Sequence, residues 1–138
     1  MPDLEAYFAE AADPAVDPGR LVRVDDELEP LELAAGLTAR ALVGRNLLAS
    51  FVRYEPNSVA PRHAHVEEQL FVVLEGELEM DLDGEVRLMR AGECALIPAW
   101  VPHSVRSLDA PAYQLDVFSP PRRALLDLLA ALDARAGS

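Results

Sequence analysis

The stretch PRHAHVEEQLFVVLEG, residues 61–76, sets two histidines two positions apart. The chain holds three histidines, His63, His65 and His103. In an extended strand, residues i and i+2 project from one face. His63 and His65 would then turn their imidazoles the same way, which suits a metal ion. The bland alternative is a set of ordinary polar residues at the mouth of a barrel. All twelve positive side chains are arginine, because the sequence contains no lysine. Schiff-base chemistry on a side-chain amine is therefore excluded.

The elements that must position these histidines are short strands. A chain of 138 residues is the size of one domain, and 51% of it is hydrophobic, enough to build a core. From about residue 30 to 118 it breaks into short β-prone runs separated by turns, the pattern of an all-β sandwich or barrel. LTARALVG and NLLASFVRYE read as strands around Gly44, EPNSVAP as a turn, and QLFVVLE as a strongly β-prone strand. In LEMDLDGEVRLM the alternation of Leu78, Met80 and Leu82 ahead of Asp83-Gly84 predicts a hairpin. CALIP reads as a short buried strand, with Cys94 a structural thiol, and HSVRSL and AYQLDVFS follow. A short helix is expected from Leu4 to Ala11. At the other end Ser119 and two prolines open a helix whose Leu125, Leu128, Leu129 and Leu132 recur at helical spacing, with Gly137 as its stop. The leucine stripe is expected to pack on the outside of the barrel or on a partner subunit. The division is an N-terminal extension (1–30), a barrel (31–120) and a C-terminal helix (121–138).

Charge and cysteine content narrow the function. The formal net charge is −12, which argues against general nucleic-acid binding, since that needs a basic face. The single Cys94 forbids an internal disulfide and fits a reducing compartment. The acidic N-terminal residues lack the pattern of a signal peptide, and no apolar run approaches a membrane span. The cytoplasm is the expected location, with neither membrane nor nucleic acid as a partner.

Taken together, the positions resemble the cupin signature, one form of which runs G-x5-H-x-H-x3-E-x6-G and then G-x5-P-x-G-x2-H-x3-N. Here the first half is Asn57, His63, His65, Gln69 and Gly76, and the second is Gly92, Pro98, Trp100, His103 and Ser107. The resemblance covers roughly residues 38–118. It implies a small jelly-roll β-barrel, commonly a homodimer, with one divalent transition metal ion inside, held by His63, His65, Gln69 and His103. Zinc, nickel, manganese, iron, copper and cobalt all remain open. Asn57 tolerates the left-handed turn that the replaced glycine would make. Trp100 stands where the pattern has glycine, and would either close the site against a substrate or cap the core. Ser107 in place of Asn is expected to be harmless. Gln69 in place of Glu leaves the ion's charge unneutralised, which would make a stronger Lewis acid and weakens the case for an iron oxygenase. Glu67 and Glu68 are expected to face solvent.

A narrower likeness joins HVEEQLFVVLEGELEM to LDVFSPPR. Together they resemble the cupins of pectin and alginate breakdown, which open 4,5-unsaturated monouronates to keto acids. That resemblance implies catalytic roles for Asp116 and Phe118 and a substrate contact for Arg122, which could equally face water in the first helical turn. Gln114, Asp116 and Phe118 share one strand face, which makes Gln114 a candidate substrate contact as well, and a charge on a half-buried strand needs a reason. Arg53 is a second candidate partner for a substrate carboxylate. The alternatives are a polyketide cyclase, a dioxygenase-type cupin and a non-catalytic module that binds a small molecule.

Overall fold

The computed structural model describes residues 3–9 and 17–137. Two short helices come first, α1 (Leu4–Phe8) and α2 (Val24–Glu27). Ten strands follow among the described residues. They are β1 (Pro30–Ala34), β2 (Leu37–Val43), β3 (Leu48–Tyr54), β4 (Val59–His63), β5 (Glu68–Glu75), β6 (Glu77–Leu82), β7 (Glu85–Arg90), β8 (Cys94–Ile97), β9 (His103–Ser107) and β10 (Ala112–Ser119). A helix, α3 (Arg123–Ala136), closes the chain. The helix expected over Leu4 to Ala11 is present as α1, while residues 10 and 11 lie outside the described residues.

The strands form two antiparallel sheets, ordered β1-β2-β3-β10-β5-β8 and β4-β9-β6-β7. Alternation along each strand decides what lies between them. Leu48, Ser50, Val52 and Tyr54 of β3, and Ala112, Gln114, Asp116 and Phe118 of β10, are all buried. Phe71 and Val73 of β5 meet Leu78 and Met80 of β6 in one apolar cluster drawn from both sheets. The architecture is a jelly-roll sandwich whose interior is apolar over most of its extent and polar around Ser50, Gln114 and Asp116.

The expected elements are present, with three differences. EPNSVAP is a turn only around Pro56 and Asn57, and Val59–His63 is strand. Pro61 is tolerated because β4 is an edge strand and its register with β9 slips between Ala60 and His63. Cys94 is exposed rather than buried, because it lies on the outer face at the start of edge strand β8. Glu67 is also buried, where solvent was expected, while Glu68 is exposed.

Helix α3 is tied down at its start. Leu125 packs with Leu48 and Phe118, and the carboxylate of Glu67 accepts the Arg123 N–H at 2.8 Å. An anion suits the partial positive charge there. Burying a leucine of this kind contributes about 2 kcal/mol. Leu128 stays exposed and Leu129 and Leu132 are half-buried, so the leucine stripe is only partly used.

Two motif positions act through the backbone. Asn57 has φ 55°, as the turn requires. Ser107 is more than harmless, since its hydroxyl donates to Glu55 O at 2.6 Å and accepts the Ser58 N–H at 2.9 Å, stapling that turn. Gly76 has φ +76°, and a Cβ there would lie 2.7 Å from Pro111 O and 3.1 Å from Ala112 Cα. Gly76→Ala should therefore destabilise the fold by about 2 kcal/mol or more, read as a lower denaturant midpoint with an unchanged slope.

Candidate metal centre

The three histidines converge from two elements and a loop. His63 ends β4, His103 begins β9, and the two are register partners across that pair. His65 lies beyond β4 in the link to β5, so the simple rule that i and i+2 share a strand face does not hold for it. What brings it in is the loop, pinned where the Trp100 N–H donates to His65 O at 2.8 Å. One ring nitrogen of each histidine lies within 4.8 Å of the other two.

Backbone carbonyls set the tautomers. His63 Nδ1 is 2.7 Å from Pro61 O, His65 Nδ1 2.9 Å from Glu67 O, and His103 Nδ1 2.9 Å from Val101 O. A carbonyl only accepts, so each Nδ1 carries the proton and each Nε2 presents a lone pair. Burial pushes the His103 imidazole down to about 4, its carbonyl partner pulls it up, and the neighbouring His63, His65 and Arg122 push it further down. Burial also lowers His63.

Gln69 joins the cluster through a buried carboxylate. Its Nε2 donates to Asp116 Oδ1 at 2.8 Å, and this turns its Oε1 to His65 Nε2 at 3.0 Å. Two lone pairs then face each other. A proton on His65, or a cation held by both atoms, reconciles them. His103 Nε2 is buried with no hydrogen-bond partner among the described residues, which favours the cation. His65 Nε2 and Gln69 Oε1, 3.0 Å apart, are close enough that both would hold one ion. Three imidazole nitrogens and an amide oxygen fit a divalent transition metal. Gln69 is neutral, as its sequence implies, yet a carboxylate lies one hydrogen bond behind it and makes its oxygen more basic.

Asp116 is the centre of this arrangement. Its other oxygen accepts Gln114 Nε2 at 2.7 Å. Burial raises its carboxyl to about 6, against the two amide donors and the Arg122 charge, which lower it. Glu67 departs the other way. Burial raises it, but the Arg123 N–H, its own backbone, His65 and Arg122 together hold it below the usual carboxylate range.

A cleft of about 270 Å³ opens on the cluster, lined by His63, Gln69, His103, Gln114, Asp116, Phe118 and Arg122. Arg122 thus faces the cavity, with its guanidinium 5.6 Å from the Phe118 ring. The structure does not bring Arg53 or Trp100 to this cleft. Arg53 lies outside, bonded to Asp25 at 3.1 Å and stacked 4.0 Å over Tyr113. Trp100 is 64% exposed and neither lines the cleft nor caps the core. It takes φ +66° at the motif's glycine position, an uncommon conformation for a bulky residue. Sequence reasoning missed Ser50 and Tyr54, which also line the cleft. The signal was present in LASFVRY, where Ser50 stands among inward-facing Leu48, Val52 and Tyr54.

The expected closed barrel is a two-sheet jelly-roll sandwich here, and with three converging imidazoles it defines a cupin-type fold with a candidate metal centre. Residues 50–118 match the Cupin domain family Cupin_2, and the chain belongs to it. It is similar to the pectin degradation protein KdgF of Dickeya dadantii, 27% identical over 101 residues that cover 72% of this chain and 92% of that one. Among solved structures it resembles an RmlC-like cupin from Shewanella frigidimarina, with TM-score 0.71 and 24% identity over 78% of this chain and 96% of that one. It also resembles KdgF from Halomonas sp., with TM-score 0.69 and 24% identity over 74% and 94% of the two chains. These structural likenesses speak for the fold. No helix among the described residues is long and apolar enough to cross a membrane.

The metal-free protein offers a direct check on the histidine geometry. His103 should stay neutral from pH 8 to pH 5 and titrate near 4 in an NMR pH series. A histidine depressed in the fold contributes stability that is present above its unfolded value of 6.5 and lost as pH falls through 4. The same protein should take up one zinc or nickel ion per chain, with stabilisation of about 2.7 kcal/mol at a free-ion concentration of 100 Kd.

Proposed function

We propose that this cupin uses a divalent metal ion to open the ring of an unsaturated sugar acid and let the product ketonise. The observation that carries this reading is that Asp116, Phe118, Arg122 and the histidine–glutamine cluster border one cleft. The likeness to KdgF, a pectin degradation protein, supports the same substrate class.

His63, His65, Gln69 and His103 would hold the ion, whose chemistry would be that of a Lewis acid on a substrate oxygen. Arg122 forms no ion pair with a described residue, so its planar fork is available to a substrate carboxylate. Phe118 stands edge-on to His65 at 5.5 Å and supplies an apolar wall. Asp116 is placed to move the proton. As the ring carbon–oxygen bond breaks, its carboxylate would take the proton of the anomeric hydroxyl, leaving an aldehyde and an enolate whose charge the cation would offset. Returning a proton to the adjacent carbon gives the keto acid, so the reaction is a net isomerisation. A carboxyl near 6 can both accept and release a proton at neutral pH. The protein is expected to work in the cytoplasm as a homodimer.

Metal-replete protein should speed the loss of ultraviolet enol absorbance of a 4,5-unsaturated monouronate, and chelator-stripped protein should not. Asp116→Ala should lower kcat by about 10²-fold or more while metal content stays at one ion per chain. Equal rates with and without metal would sink the assignment and turn attention to polyketide or diol substrates.

A further inference from the structure

Three buried side-chain atoms among the described residues have no hydrogen-bond partner: His103 Nε2, Ser50 Oγ and Gln114 Oε1. All three belong to residues that line the same cleft. The first is accounted for by the metal centre. The other two lie on the opposite wall. Ser50 of β3 is the register partner of Asp116 on β10, and Gln114 is the next inward-facing residue along β10. The histidines at positions 63 and 103 belong to the other sheet, so the cleft is bounded by a metal wall and a polar wall.

The chemistry of the polar wall is directional. Gln114 Nε2 donates to Asp116 Oδ2, and a carboxylate cannot donate in return, so the amide cannot flip. Its oxygen must accept, and a ligand group with an O–H or N–H would satisfy it. The Ser50 hydroxyl both donates and accepts, and Ser50 is 1% exposed. Tyr54 approaches Gln114 from the same sheet. Around these groups the wall is apolar, with Leu37, Val52 and Ala34. A donor-demanding oxygen and a hydroxyl set among C–H groups match a ring that carries hydroxyls on a hydrocarbon frame. A buried polar group left unpaired costs about 1–3 kcal/mol, so a ligand lacking the hydroxyl is penalised more than a matching one is rewarded.

We propose that Ser50 and Gln114 form a hydroxyl-reading subsite that selects a polyhydroxylated sugar acid over its deoxy counterparts. The ligand class rests on the function proposed above, but the subsite concerns binding and not turnover.

The experiment is calorimetry on full-length, metal-loaded protein. The probes are D-galacturonate, whose saturated ring cannot react, and its 2-deoxy and 3-deoxy analogues. Wild type should bind galacturonate about fivefold or more tightly than at least one analogue. In Ser50→Ala, galacturonate should fall to the level of that analogue, whose own affinity stays unchanged. Ser50→Ala should melt at or above wild type and keep its metal, because no protein hydrogen bond is lost. Equal binding of all three sugars by wild type overturns the subsite, as does failure of wild type to bind any of them. So does a preference that survives intact in Ser50→Ala. The comparison of analogues on wild type needs no variant to fold. Turnover of the unsaturated monouronate without a hydroxyl preference would sink the subsite and keep the function, and a preference without turnover would do the reverse.

Discussion

The Asp116 carboxylate is buried at the cleft wall and accepts one carboxamide on each oxygen, from Gln69 at 2.8 Å and from Gln114 at 2.7 Å. A carboxylate accepts and cannot donate, so both amides are held with nitrogen toward it and oxygen away. One oxygen is thereby aimed at the histidines and the other at the cleft. The direction of hydrogen bonding at a single buried charge sets the polarity of both walls. The cost of burying that charge is visible in its raised pKa, and the two amide donors offset part of it.

The scaffold keeps this arrangement rigid. β10 lies between β3 and β5, so Asp116 sits at the middle of the six-stranded sheet with paired backbone on both sides. His63 and His103 come from the other sheet and His65 from the link to β5, with an apolar cluster drawn from both sheets between them. Helix α3 closes one side, anchored by Leu125 and by Glu67 at its first turn. Glu67 accepts from the helix while its backbone carbonyl accepts from His65, so one residue couples α3 to the histidine cluster.

Most of the strand positions along the chain were legible because alternation and turn residues are local signals, whereas their order in the sheets was not. The hairpin at Asp83-Gly84 and the inward face of β10 follow directly from period-two patterning. β4 was not legible, since a proline in a short polar run reads as a turn unless the strand is known to be an edge. Glu67 was misplaced for a similar reason. Its burial depends on a helix start that lies 56 residues further along the chain. Arg53 was a candidate by proximity to the motif, which does not say which face of a sheet a side chain takes, and Trp100 by its place in the motif, where a turn with φ +66° leaves it exposed.

The sequence by itself determined the ligand types. Three histidines and a glutamine at family spacing, with Asp116 on a face with Gln114 and Phe118, already specify neutral donors near one carboxylate. Only the tertiary structure decided their orientation. Which nitrogen of each imidazole is free depends on a backbone carbonyl two residues away, and which end of the Gln69 amide faces the histidines depends on Asp116, 47 residues along the chain. Hydrogen-bond direction is a property of pairs, and the pair that turns Gln69 forms only when β5 and β10 lie side by side.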